Sequence, residues 1–266
     1  MTSPAPTIAF FGATGGCANA CLTNTLLAGF NATALARTPS KLTDQLLAQG
    51  VNQATIDRQL TIIKGDATDT TAVKDTILPK KDGILVSTIV SGIGGTGRLQ
   101  KSFCEPIAFD NPNICNESAT AIRAALQEIY KENAEYKSTK PLFAVISTTG
   151  IAKKEDVPFG FRTFYHKGLA IPHEDKRKME AALLSHMSQP EEDRVFRAFI
   201  SVRPSLLTGD NSIKTGKGWE TLRVGTEENP AVGYTIQRAD VGQWIFEEVI
   251  RRGGDSWFGK MVTLTS

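Results

Sequence analysis

The chain has 266 residues, 41% hydrophobic and 22% charged, and its 30 Lys plus Arg against 28 Asp plus Glu leave a formal charge of +2. That length permits one or two domains and a core large enough to fold without a disulfide or metal staple. The basic pairs (Lys80-Lys81, Lys153-Lys154, Arg251-Arg252) are scattered, which argues against a nucleic-acid or anionic-membrane partner, since either needs a clustered basic face.

The four cysteines form no CxxC pair and no His lies near Cys17 and Cys21, so no metal site is expected. The segment MTSPAPTIAFF has no basic start and too short an apolar run for an export signal. No stretch approaches the ~18 to 20 apolar residues of a membrane span. The expectation is a reduced, soluble, cytoplasmic protein, monomeric or homodimeric.

In chain order, apolar runs of strand length fall at 7–11, 32–36, 60–64, 83–87, 142–147, 198–202 and 261–264. Helical patterns alternate with them at 17–28, 41–49, 70–78, 116–132, 174–187 and 240–252. The strand runs are continuous rather than alternating, as expected when both faces of a sheet are covered. The βαβ rhythm predicts a doubly wound α/β fold, a parallel sheet with helices on both faces, in one domain over 1–266. Three connections, 90–114, 150–172 and 204–237, far exceed the usual ~4 to 6 residues. Each follows the carboxyl end of a strand, where open α/β sheets bind ligands. The second is aromatic (Phe159, Phe161, Phe164, Tyr165) and the third holds Trp219, so they are expected to wall a pocket for a small hydrophobic substrate.

Gly12-Ala13-Thr14-Gly15-Gly16-Cys17-Ala18 follows the first strand and opens a helix, with the spacing GxxGxxA. A tight turn at Gly12 and close backbone approach at Gly15 would seat a pyrophosphate on the helix N-terminus, where free N–H groups and the dipole favour anions. A second string, Gly92 to Gly97, also matches GxGxxG. No convincing helix follows it, and it is expected to be a flexible loop near the ligand.

The end of the second strand bears on which dinucleotide binds. An NAD site places an acid about 20 residues beyond the glycines. Here the strand runs into Ala36-Arg37-Thr38-Pro39-Ser40-Lys41 with no carboxylate. Arg37 and Lys41 match a 2′-phosphate, which points to NADP. Asp66, in Gly65-Asp66-Ala67-Thr68-Asp69, is placed either to take the adenine amino group or, with Thr68 or Asp69, to cap the next helix.

These pieces resemble the atypical short-chain dehydrogenase/reductase superfamily, in its NAD(P)H-binding, NmrA-like and flavin-reductase-like branch. The resembling motifs are GATGGCA at 12–18, ARTPSKL at 36–42, GDATD at 65–69, ISTTG at 146–150, KRKMEAALL at 176–184, RPSLLTG at 203–209 and QRADVGQWI at 237–245. The resemblance implies a Rossmann-type domain using NADP, with Ser87, Thr88, Thr148, Pro204 and Ser205 lining the nicotinamide end. It also suggests a tailoring role in secondary metabolism.

Ordinary members of that superfamily carry YxxxK after the fifth strand and a Ser at that strand's end. The Lys holds the ribose and lowers the Tyr pKa for proton donation. Here Ser147 or Thr148 fits the Ser slot and Lys176 the Lys slot, but four residues before Lys176 stands Pro172. The literal match Tyr136 to Lys140 precedes the fifth strand and is a chance one. His173 and Tyr165 (with neighbouring His166) are the candidate substitutes; for Lys176 the alternative is a surface pair with Glu180. The expected function is an NADPH-dependent oxidoreductase passing hydride to an enone, quinone or carbonyl. A non-redox isomerase or cyclase, or an NADP-binding sensor without turnover, stays open.

Overall fold

The computed structural model describes residues 6–95, 97–99 and 107–266. Strand β1 (Thr7–Phe11) enters helix α1 (Gly16–Leu27) through the glycine turn, and β2 (Asn31–Ala36) leads to α2 (Pro39–Ala48) and α3 (Gln53–Gln59). Then come β3 (Leu60–Lys64), α4 (Thr70–Ile77), β4 (Thr88–Ser91), the short strands β5 (Gly97–Leu99) and β6 (Ile107–Phe109), and α5 (Ile114–Glu132). The second half comprises β7 (Leu142–Ile146), α6 (Ala170–Met187), β8 (Ala198–Pro204), β9 (Leu206–Thr208), β10 (Arg223–Gly225), β11 (Thr235–Gln237), α7 (Arg238–Trp244) and β12 (Met261–Thr265).

The main sheet has eight strands in the order β10-β12-β8-β7-β4-β1-β2-β3. All pairs are parallel except β10 with β12. Chain order runs outward from β1 in both directions, so the switch point lies between β1 and β4, the crevice where such sheets bind ligands. Side chains alternate across β1: Ile8 and Phe10 join one core with Leu22, Leu46 and Trp244, while Ala9 and Phe11 join the other with Val73, Ile122 and Leu183. Helices α1, α2, α3 and α7 therefore cover one face and α4, α5 and α6 the other, which is why the strand runs carry no polar alternation. Helix α7 lies tightly on α1 at Gly242, where a Cβ would sit 2.6 Å from both the Ala20 Cβ and the Cys17 carbonyl oxygen.

The doubly wound α/β fold predicted from the sequence is the one observed, with three corrections. The fourth strand is Thr88–Ser91, not 83–87. Ser87 and Thr88 separate two short apolar runs, neither closed by a glycine or proline, and pairing decides the register: Ile8 and Leu142 stand opposite Thr88, and Phe11 opposite Ser91. Helix α6 begins at Ala170, four residues earlier than its polar pattern suggests, which puts Pro172 and His173 in its first turn. Helix α3 was not predicted; the Asn52 side chain caps it by accepting the Thr55 N–H. Of the second glycine string, Thr96 lies outside the described residues, and Gly97 opens β5 rather than a helix.

Candidate functional site

A groove of about 430 Å³ opens at the carboxyl ends of β1 to β4, lined by Gly12, Thr14, Gly15, Arg37, Lys41, Asp66, Ala67 and Gly92 among others. Its floor exists because side chains are missing. Gly12 has φ +72°, and a Cβ there would lie 2.7 Å from the Gly92 carbonyl carbon. A Cβ on Gly92 would lie 2.7 Å from the Ala18 Cβ, so the two glycine strings and Ala18 pack as one unit. Helix α1 has Gly15 as its N-cap, with no side-chain cap and no acid in its first turn, leaving its N–H groups and positive dipole end for an external anion. Ala13 and Cys17 are buried beneath the loop, and burial pushes the Cys17 thiol up to about 12.

At the groove's outer end, Arg37 follows β2 and Lys41 sits in the first turns of α2, both exposed. Among the described residues neither has an ion-pair or hydrogen-bond partner. Asp66 accepts the Thr68 N–H at 3.0 Å and the Thr68 hydroxyl at 2.8 Å, which holds its carboxyl below the ordinary range. Asp69, not Asp66, caps α4, accepting from the Thr71 and Ala72 N–H groups. Asp66 thus remains on the groove wall.

Most of the other expected residues lie beyond the groove's lining, at the tips of β7 and β8 and on α6. Lys176 is half-buried, and its Nζ donates to the Ile146 carbonyl at 2.6 Å and the Ile93 carbonyl at 3.0 Å. It tethers the loop after β4 to the end of β7. It makes no surface pair with Glu180, whose carboxylate is buried against Arg203 Nη2 at 2.6 Å. Ser147 is 5% exposed and its hydroxyl is buried without a partner. The Thr148 hydroxyl donates to the Thr149 carbonyl at 3.0 Å. Pro204 closes β8 and accepts the Thr149 N–H, while the buried Ser205 hydroxyl donates to Thr265 Oγ1 at 2.9 Å.

Gly150 is the hub of this end. Its N–H donates to Asp156 Oδ1 at 2.7 Å and its carbonyl accepts from Arg177 at 3.2 Å. A Cβ on it would strike the Tyr165 ring at 2.6 Å and the His173 ring at 2.8 Å. Tyr165, in a π-helical turn before α6, is buried, and burial raises its pKa while a hydrogen bond with the Thr149 side chain opposes the rise. His173 is also buried with neither ring nitrogen partnered, and burial lowers its pKa to about 4. It is therefore neutral near pH 7. His166 is exposed, 3.5 Å from Glu155.

Two expected residues lie elsewhere. Ser87 and Thr88 stand at the amino-terminal end of β4, where the Ser87 N–H donates to the Thr7 carbonyl and Ser87 borders a different cavity of about 760 Å³. The one-strand-length shift of β4 moved them from the ligand end to the opposite edge; Ser91 and Gly92 hold the end that they were given.

Two groups escaped the sequence reading. Asn19 is fully buried on α1; its Nδ2 donates to the Ala13 carbonyl at 2.7 Å, and its Oδ1 accepts from Gln49 at 2.5 Å and Asn211 at 2.9 Å. This network fixes the glycine loop from below, and a lone Asn on an apolar helix face was its only signal. Asp156 is 1% exposed, with Oδ2 unpartnered and its pKa raised by burial to about 6. Nothing in its sequence setting marks it.

Comparison with known proteins agrees with this geometry. The family model for NAD(P)H-binding proteins matches residues 12–251. The chain is 47% identical to "Oxidase pynE" of Aspergillus niger, over 98% of both chains, and 42% identical to "Reductase pytE" of Aspergillus terreus, over 100% of both. Among solved structures, a short-chain dehydrogenase/reductase of Veillonella parvula in complex with NADP superposes with a TM-score of 0.66 at 14% identity, covering 98% of this chain and 94% of that one. ChuY, an anaerobillin reductase of Escherichia coli, gives 0.60 at 14% identity over 97% and 96%. With its glycine-floored groove at the switch point of a doubly wound sheet, the chain belongs to the NAD(P)H-binding family, on the fold of the atypical short-chain dehydrogenase/reductases.

Proposed function

We propose that the protein is an NADPH-dependent oxidoreductase that passes hydride to a small, largely apolar enone, quinone or carbonyl acceptor, as a tailoring step in secondary metabolism. The observation that carries the reading is the groove itself: a glycine turn packed so tightly on the Gly92 backbone that Gly12 admits no Cβ, continuous with two exposed cations, Arg37 and Lys41, and with no acid at the end of β2. A carboxylate there would accept the ribose 2′-hydroxyl of NAD; a guanidinium and an ammonium instead favour a 2′-phosphate. The redox names of the two Aspergillus relatives support the chemistry.

The bound dinucleotide supplies hydride. The chain's own part is to seat it and to manage one proton. Gly12, Gly15 and the start of α1 receive the phosphates, with Thr14 and Gly16 completing the turn. Lys176 ties the loop after β4 to the end of β7 by its two carbonyl bonds. Of the two candidate proton donors, Tyr165 keeps a proton at neutral pH, because burial raises its pKa. His173 does not carry a spare one, because burial keeps it neutral. Tyr165 therefore donates to the acceptor oxygen, and His173 packs beside it, 5.6 Å between ring centroids. The aromatic insert, with Phe161 against Tyr165 and Tyr234, excludes water.

The test is loss of nicotinamide absorbance with purified protein against a panel of quinones, flavins, enones and ketones, with cofactor binding measured in parallel by calorimetry. Turnover of at least one acceptor with NADPH is expected. Tight NADPH binding with no turnover across the panel would move the assignment to a non-redox isomerase or cyclase on the same site.

A further inference from the structure

Gly16 stands at the first position of α1, and the side chain of Arg238, the first residue of α7, lies across it. A Cβ on Gly16 would overlap Arg238 Cδ and come within 3.1 Å of Cγ and Nε. The Arg238 Nη1 donates to the Gly209 carbonyl at 2.5 Å, which holds the guanidinium between the start of α1 and the segment after β9. Its charge reaches the Cys17 thiol, one residue further into the helix. Among the described residues no carboxylate pairs with Arg238. The cation thus sits at the end of α1 where the helix dipole is already positive, an arrangement that is unfavourable in the free chain and becomes favourable when an anion binds there.

From this we infer that Arg238 clamps the pyrophosphate of the dinucleotide from the side opposite Gly12, and that position 16 is glycine to admit its stem. The inference rests on the proposed cofactor site. It assigns to the start of α7 a role that differs from that of Arg37: a pyrophosphate contact is common to NADPH and NADH, whereas a 2′-phosphate contact belongs to NADPH alone.

Calorimetric titration of wild type, Arg238→Met and Arg238→Lys with NADPH and with NADH separates the possibilities, with thermal melting as the check on folding. Arg238→Met is expected to weaken both cofactors by the same factor, roughly tenfold or more. The NADPH/NADH ratio stays unchanged, and the dependence of affinity on salt flattens. Arg238→Lys is expected to retain most of the affinity. Folded Arg238→Met binding both cofactors like wild type overturns the proposal, and so does a loss confined to NADPH. If Arg238→Met fails to fold, Arg238→Gln, which keeps a donor for the Gly209 carbonyl but removes the charge, carries the test with the same expected equal loss. Wild type binding neither cofactor would instead remove the underlying site assignment, a result distinct from failure of the clamp.

Discussion

The α-carbon of Gly12 faces the carbonyl of Gly92 so closely that a methyl group would lie 2.7 Å from its carbon and 2.8 Å from its oxygen. The residues are 80 positions apart in the chain, and their contact joins the first βα turn to the end of β4 across the switch point. Gly12→Ala meets this wall and also a φ of +72°, a region costly for any residue with a Cβ. It is expected to cost about 1–3 kcal/mol of stability and to abolish measurable cofactor binding. Urea denaturation and calorimetry on the same preparation check both; wild-type affinity in Gly12→Ala would show that the groove floor is not where the dinucleotide lies.

Arg37 is exposed at the groove's outer end and makes no hydrogen bond or ion pair among the described residues, so removing it is expected to leave the fold intact. Arg37→Ala is expected to weaken NADPH by about 1.5–3 kcal/mol, roughly ten- to a hundredfold, with little change for NADH. Wild type itself is expected to bind NADPH more tightly than NADH. Equal wild-type affinity for the two would overturn the assignment of Arg37.

Tyr165 and Lys176 are expected to separate in kinetics. Tyr165→Phe keeps the ring packing against Phe161 and His173 and removes only the hydroxyl, so kcat falls by roughly a hundred- to ten-thousandfold on a carbonyl acceptor with KM for NADPH little changed. On a quinone, which needs less acid help, the loss is smaller. Lys176→Ala releases the carbonyls of Ile93 and Ile146 and is expected to raise KM for the cofactor as well as to lower kcat. An unchanged kcat in Tyr165→Phe for every acceptor would exclude the phenol as donor.

His173 makes the protein sensitive to acid. Its pKa falls from 6.5 to about 4 on folding, with Arg177 and His166 adding to the effect of burial, so the unfolded chain binds more protons between those values. The stability it contributes is whole above its unfolded pKa and is lost as the pH falls toward its folded one. Relative to His173→Phe, which cannot titrate, wild type is expected to lose about 2 kcal/mol between about pH 7.5 and about pH 5. Asp156 runs the other way: its carboxyl holds a proton up to about pH 6 in the folded chain, so its contribution is lost as the pH rises. Comparing the two variants rather than wild type alone isolates the imidazole. Parallel stability curves for wild type and His173→Phe would show that the imidazole does not titrate in this window.

The outer half of the site was legible from local pattern. A strand, a GxxGxxA turn and a helix are contiguous in the chain, and so is the step from β2 to Arg37 and Lys41; spacing along ten or thirty residues was enough. The inner half was not. Lys176 was identifiable only by resemblance, and its actual partners, two backbone carbonyls, have no sequence signature. Ser87 and Thr88 were misplaced because they interrupt two short apolar runs, Ile84 to Val86 and Ile89 to Val90, either of which could be the strand. Asp156 and Asn19 are buried polar residues whose partners are backbone groups or distant amides, so neither has a local marker.

The sequence by itself determined the layer order and the family's glycine turn, because hydrophobic period and turn chemistry are properties of short segments. Tertiary structure alone decided what closes the site: the register of β4, the contact of Gly12 with Gly92, the passage of Arg238 over Gly16, and which of Tyr165 and His173 keeps a proton. Each of these depends on how closely two distant segments approach and on how much water is excluded between them, and neither quantity is written in any one stretch of the chain.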